Sequence, residues 1–101
     1  MEINFNYQHV TASVELENYA KEKLSTIFER YSWVTRADVF FRAENTESDL
    51  TGMITNIRLS APGPRMFAEE SQETFREGIN KVTDQLKRQC EKRKATLIDH
   101  A

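Results

Sequence analysis

Apolar and polar side chains alternate over residues 2–8, with Ile3, Phe5 and Tyr7 on one side and Asn4, Asn6 and Gln8 on the other. A period of two marks a half-buried strand. Ser13 can then cap a helix, Glu15 and Glu17 suit its positive end, and Leu16, Ala20, Leu24, Ile27 and Tyr31 recur at steps of four and three. The spacing predicts a helix from about Val14 to Tyr31. Trp33 and Val34 reopen an extended pattern in which Ala37, Val39 and Phe41 share one face and Asp38, Phe40 and Arg42 the other, ending near Ala43. Glu44 to Leu50 reads as a polar loop, and Thr51 to Ser60 as a third strand with Met53, Thr55, Ile57 and Leu59 in alternation. Pro62-Gly63-Pro64 cannot extend a ladder and makes a turn into a short fourth strand, Arg65 to Ala68.

Glu69-Glu70-Ser71 looks like an acidic lead into a helix, its carboxylates matched to the helix dipole. Phe75, Ile79, Val82, Leu86 and Cys90 then mark the buried stripe of a second helix, from about Gln72 to Arg93. Within that helix Gly78 weakens the backbone by about 1 kcal/mol relative to alanine, so it is expected to serve close packing on the sheet. The order strand, helix, three strands, helix predicts an α+β fold, β-α-β-β-β-α. It is expected as a four-stranded mixed sheet with two helices packed on one face. The first helix is long enough for a right-handed crossover, so the first two strands should be parallel and the later pairs antiparallel. Residues 1–95 are expected to form a single domain, with a frayed tail over 96–101.

Composition narrows what such a domain can do. The chain has 101 residues, 39% of them hydrophobic and 30% charged, and only three glycines and two prolines, so one folded core is expected. No run approaches the roughly 18 apolar residues of a membrane helix, and Met-Glu-Ile-Asn does not open a secretory leader. A cytoplasmic protein without a membrane partner is expected. The lone Cys90 leaves nothing for an internal disulfide or a cysteine-rich zinc site and continues the buried stripe. With no nucleophile beside His9, no phosphate-cradling glycine loop, and only His9 and His100 as histidines, neither an enzyme, a metal, a cofactor nor a small-molecule substrate is expected.

The net charge of −2 hides an asymmetry. Residues 1–80 carry eight basic and thirteen acidic side chains, whereas residues 81–101 carry six basic and three acidic. Advancing about 100° per residue from Phe75 puts Lys81, Arg88 and Lys92 together on one side of the apolar stripe and Arg76, Lys87 and Lys94 on the other. Two basic ridges result, able to reach phosphates on either side of a groove. Lys23 and Arg30 on the first helix, beside Tyr19, add to them. The same charges also fit a solvated surface, since Glu77 precedes Lys81 and Asp84 precedes Arg88 by four residues. Lys92, Arg93 and Lys94 fit that account least, with only Glu91 beside three consecutive cations. On the open face of the sheet Phe40 and Arg58 offer an alternative, a non-enzymatic module that docks a protein partner.

These residues in this order resemble the ribosome hibernation promoting factor family, also called ribosome-associated translation inhibitors. The likeness runs through His9-Val10 after the first strand, Leu16, Tyr19 and Glu22-Lys23-Leu24, Ala37-Asp38-Val39, the Pro-Gly turn and Phe67-Ala68-Glu69. It is most specific in Asp84-Gln85-Leu86-Lys87-Arg88-Gln89 followed by Lys92 and Lys94. The resemblance implies a fold like a double-stranded-RNA-binding domain, and a role on the small ribosomal subunit and its rRNA. There it would occupy the channel of messenger and transfer RNA and stabilise idle ribosomes in stationary phase or stress. On that resemblance Lys23, Lys87, Arg88, Gln89, Lys92 and Lys94 are RNA-binding positions; Arg30, Lys81 and Arg93 join them from the helical wheel. The likeness is to the short form without a C-terminal dimerisation domain, so a monomer off the ribosome is expected, and ribosome dimerisation would depend on another factor.

Overall fold

The computed structural model describes residues 1–99. Its elements run β1 (Glu2–Gln8), α1 (Val14–Arg30), β2 (Arg36–Ala43), β3 (Met53–Ser60), β4 (Met66–Gln72) and α2 (Phe75–Asp99), in the order the hydrophobic pattern predicts. The strands form one sheet, ordered β1-β2-β3-β4, with β1 parallel to β2 and the other pairs antiparallel. Both helices cover the face carrying Ala37, Val39, Phe41, Ile57, Leu59, Met66 and Ala68. Ala20, Leu24, Ile27 and Phe28 of α1 and Ile79, Val82, Leu86 and Cys90 of α2 close the core against it. Burying the α2 stripe is what fixes the direction in which the helix's other faces point.

Local chemistry sets most of the boundaries. Ser13 caps α1, its hydroxyl accepting from the Leu16 N–H at 3.2 Å, and the Tyr7 hydroxyl donates to Glu17 in the first turn at 2.6 Å. The helix ends at Arg30, with the Tyr31 N–H still donating to Ile27 O. Trp33 and Val34 lie outside β2, because the Val34 N–H turns back to Tyr31 O at 3.0 Å and the ladder begins only at Arg36.

Other boundaries also differ from the sequence reading. Glu69 and Glu70 belong to β4, since the β3–β4 register runs on to Met53 opposite Gln72. Glu69 is held by Arg42 and Asn56, and Glu70 accepts from Gln72 and Gln85, so neither carboxylate serves a helix dipole. Thr74, whose hydroxyl accepts from the Glu77 N–H at 3.2 Å, caps α2 instead of Ser71. At its other end α2 continues past Arg93 to Asp99, with Lys94, Ala95 and Leu97 favouring helix and no glycine or proline to stop it, so residues 96–99 are helical. The remainder of the expected tail, His100 and Ala101, lies outside the described residues.

Gly78 seats α2 on the sheet as its sequence context predicts. A Cβ there would lie 2.6 Å from the Thr55 hydroxyl oxygen, so only glycine permits this approach.

Candidate nucleic-acid interface

Ile79, Val82, Leu86 and Cys90 are fully buried, which divides the rest of α2 into a flank facing α1 and a flank facing the β4 edge. On the α1 side two hydrogen bonds fasten the helices together. The Tyr19 hydroxyl donates to Asn80 Oδ1 at 2.6 Å, and the Tyr31 hydroxyl donates to Glu91. Burial together with that bond to a carboxylate pushes the Tyr31 hydroxyl up to about 12, while Glu91 is drawn below the ordinary carboxylate range chiefly by accepting it.

The seam gathers cations. The Arg76 guanidinium lies 4.1 Å from the centre of the Tyr19 ring and the Lys23 ammonium 5.5 Å from it, so one aromatic ring carries two positive side chains from different helices. Lys87 and Lys94 continue this ridge along α2, both half-buried in stem. Arg76 belongs to the site although the sequence reading carried it only as part of the wheel. Its partner ring is 57 residues away in the chain, and periodicity within one helix cannot show such a contact.

On the other flank Lys81 and Arg88 stand over a surface cavity of about 310 Å³, lined also by Glu70, Asp84 and Gln85. The intrahelical ion pairs suggested by the spacing do not form. Among the described residues neither Glu77 with Lys81 nor Asp84 with Arg88 makes a salt bridge. Lys81, Arg88 and Lys92 are exposed. The solvated, self-paired account of this ridge therefore loses the pairs on which it rested.

Three of the sequence-predicted residues are engaged elsewhere. Arg30 pairs with Glu91 at 3.5 Å and lies over the Tyr31 ring, in an exposed arrangement worth little in itself. Gln89 donates to the Phe67 carbonyl on β4 at 2.8 Å. Arg93 falls at about 0° on the wheel, in line with the buried stripe, and donates to Pro62 O at 2.7 Å in the β3–β4 turn. Its guanidinium fills the space above Gly63, 3.1 Å from where a Cβ would stand. The structure thus brings Lys81, Arg88 and Lys92 together on one ridge and Lys23, Arg76, Lys87 and Lys94 on the other, with Arg93 and Gln89 as tethers to the sheet.

The two ridges lie about 10 Å apart across the outer surface of α2, as the diameter of a helix with its side chains requires. Such a surface can engage two lines of phosphates. Cys90 is buried, its thiol pushed up to about 11 by desolvation. Among the described residues no three His, Cys, Asp or Glu side chains cluster to hold a metal, and no helix is long and apolar enough to cross a membrane.

Comparison with known proteins adds an independent line. Residues 3–98 match the model of the family described as sigma 54 modulation protein / S30EA ribosomal protein. A curated relative from Pseudomonas putida, named ribosome hibernation promoting factor, is 27% identical over 94 residues, covering 93% of this chain and 87% of that protein. Among solved structures, a ribosomal subunit interface protein from Coxiella burnetii superposes with a TM-score of 0.80 at 21% identity, covering 94% of this chain and 99% of that one. The N-terminal domain of Protein Y from Thermus thermophilus gives a TM-score of 0.75 at 19% identity, covering 91% and 98%. At these identities the structural matches speak for the fold.

Proposed function

Since the chain belongs to the sigma 54 modulation protein / S30EA ribosomal protein family, we propose that it is a bacterial, cytoplasmic ribosome-associated translation inhibitor. In this reading it binds the small subunit in the channel of messenger and transfer RNA and holds idle ribosomes inactive in stationary phase or stress. The role is one of occupancy, without catalysis or cofactor, exercised by a protein that is a monomer off the ribosome. The observation that carries the reading is the pair of basic ridges flanking α2, whose exposed members have no ion partner on their own helix among the described residues.

The mechanism follows from the geometry. Burial of the apolar stripe and the Gly78 seat hold α2 in one orientation, and the Tyr19–Asn80 and Tyr31–Glu91 bonds fix α1 beside it. Lys81, Arg88 and Lys92 would then meet one line of rRNA phosphates, and Lys23, Arg76, Lys87 and Lys94 the other, each contact releasing counterions. An overall charge of −2 favours recognition that needs the shape of the rRNA as well as its charge.

The test is co-sedimentation with small subunits and whole ribosomes across a salt series. With about seven phosphate contacts, affinity should fall roughly 10³–10⁴-fold between 50 and 200 mM salt. Arg88→Glu/Lys92→Glu should lose association at all but the lowest salt. Equal association of that double variant and the unaltered protein would refute the interface.

A further inference from the structure

The face of the sheet turned away from the helices carries a second, separate arrangement. Two neighbouring cross-strand rows define it: Asn6, Phe40, Asn56 and Glu69 in one, Asp38, Arg58 and Phe67 in the other. A cavity of about 390 Å³ opens over Asn6, Phe40, Arg42, Asn56, Arg58 and Glu69. A shallower one of about 290 Å³ continues it over Asn56, Arg58, Arg65 and Phe67. Asn56 and Arg58 belong to both, so the surface is continuous across β2, β3 and β4.

Three observations give this surface a chemistry. First, Asn56 is only 9% exposed, its amide nitrogen donates to Glu69 at 3.2 Å, and its Oδ1 accepts no hydrogen bond among the described residues. A buried acceptor left in that state is costly, and Asn56 lines both cavities. Second, the face offers flat stacking surfaces. Phe67 is 59% exposed, and the Arg58 guanidinium lies 4.8 Å from the centre of the Phe40 ring. Third, the local acids are already engaged, Asp38 by Arg36 and Glu69 by Arg42, each at 3.1 Å, with Glu2 and Glu44 sharing the same two arginines, whereas Arg58 and Arg65 have no ion partner among the described residues. The unengaged guanidinium groups of this face are therefore those of Arg58 and Arg65.

Stacking surfaces and unmatched guanidinium groups are what unpaired bases on a phosphate backbone require. Phe40 and Phe67 lie two strands apart and two residues out of line, about 12 Å between their backbones. That spacing suits bases separated by an intervening nucleotide and excludes adjacent stacked ones. We propose that the open face of the sheet is a second RNA-binding surface, specific for a short unpaired strand, with bases on Phe67 and on the Phe40–Arg58 pair. Arg58 and Arg65 meet the phosphates, and Asn56 lies in the floor beneath the strand. This surface is independent of the α2 ridges and stands whether or not they contact rRNA.

Fluorescence anisotropy of the full chain with a labelled ten-nucleotide single-stranded oligocytidylate tests it, with a blunt RNA duplex and free cytidine monophosphate as competitors. Binding should be competed by excess unlabelled single strand and not by the duplex or the mononucleotide. Phe67→Leu, at an exposed position, and Arg58→Gln should each weaken binding about tenfold, while ribosome co-sedimentation stays as in the unaltered protein. Arg88→Glu/Lys92→Glu should leave oligonucleotide affinity in place, which separates this surface from the ridges. Absence of binding, equal affinity in Phe67→Leu and Arg58→Gln, or loss confined to the ridge variant would overturn the proposal. Absence of binding would leave the face to a protein partner.

Discussion

Gly78→Ala puts a methyl group where α2 comes nearest the sheet, and sets two effects of opposite sign against each other. In a helix interior the exchange by itself favours folding by about 1 kcal/mol, because glycine surrenders more backbone freedom. The new Cβ, however, would stand 2.6 Å from Thr55 Oγ1 and 3.1 Å from Thr55 Cβ. Against an ordinary contact of about 3.5 Å the oxygen would have to retreat by about 0.9 Å. Thr55 is fully buried and β-branched, so its side chain has little room to turn and the helix must lift instead. Overpacking of this kind costs about 1–3 kcal/mol. The expected net result is a loss of about 1 kcal/mol, read in thermal unfolding as a Tm lower by roughly 4–8 °C. Thr55→Ala removes the 2.6 Å contact and leaves the 3.1 Å one, so Gly78→Ala should cost less in that background, and the two substitutions should couple. A Tm that rises in Gly78→Ala, or an equal cost in both backgrounds, would refute the close seat.

The α1–α2 seam makes stability depend on pH at both ends. The Tyr31 hydroxyl is pushed from 10.0 up to about 12, first by burial and then by its bond to Glu91, so its contribution is complete below pH 10 and is lost as pH climbs towards 12. Urea unfolding of Tyr31→Phe should show a flatter alkaline limb; an unaltered limb would mean the phenol stays neutral for another reason. Glu91 titrates below its ordinary range because it accepts from Tyr31, so its contribution holds above the unfolded carboxylate value and falls away as pH drops through the folded one. Glu91→Gln should therefore be less sensitive to acid. Cys90, with its thiol pushed up to about 11 by burial, should resist iodoacetamide at about pH 8 until the protein is unfolded, as mass spectrometry would record. Arg93→Gln should lower Tm by loss of the Pro62 contact while leaving the salt dependence of ribosome association unchanged. Lys92→Gln should do the reverse, reducing the slope by about one phosphate contact.

How much of this was legible in the sequence depends on whether the cause was local. Ile3, Phe5 and Tyr7, or Phe75, Ile79 and Val82, carry their period within a few residues, so element order and the buried stripe could be read directly. Gly78 could be read too, because a glycine in a helix interior needs a packing reason. Glu69 and Glu70 misled, since what makes them strand is the register with Thr55 and Asn56 and the side chains of Arg42, Asn56 and Gln85. The wheel separated the two ridges correctly, yet gave no sign that Arg93 answers a carbonyl 31 residues earlier. Nor did it show Lys23 and Arg76 meeting on Tyr19, because those neighbours exist only once α1 and α2 are packed.

The parallel pairing of β1 with β2 also sets an order of assembly. Its partners, Glu2 with Arg36 through Gln8 with Arg42, are 34 residues apart along the chain, whereas the β3–β4 hairpin closes between Leu59 and Met66. Closing the longer loop costs about 1.4 kcal/mol more in chain entropy. The antiparallel meander with α2 upon it is thus the favoured nucleus, and β1 arrives only after α1 has formed and carried it across the sheet. The same asymmetry governs departure: β1 is an edge strand with one neighbour, so native-state hydrogen exchange should reach its amides before those of β2 and β3.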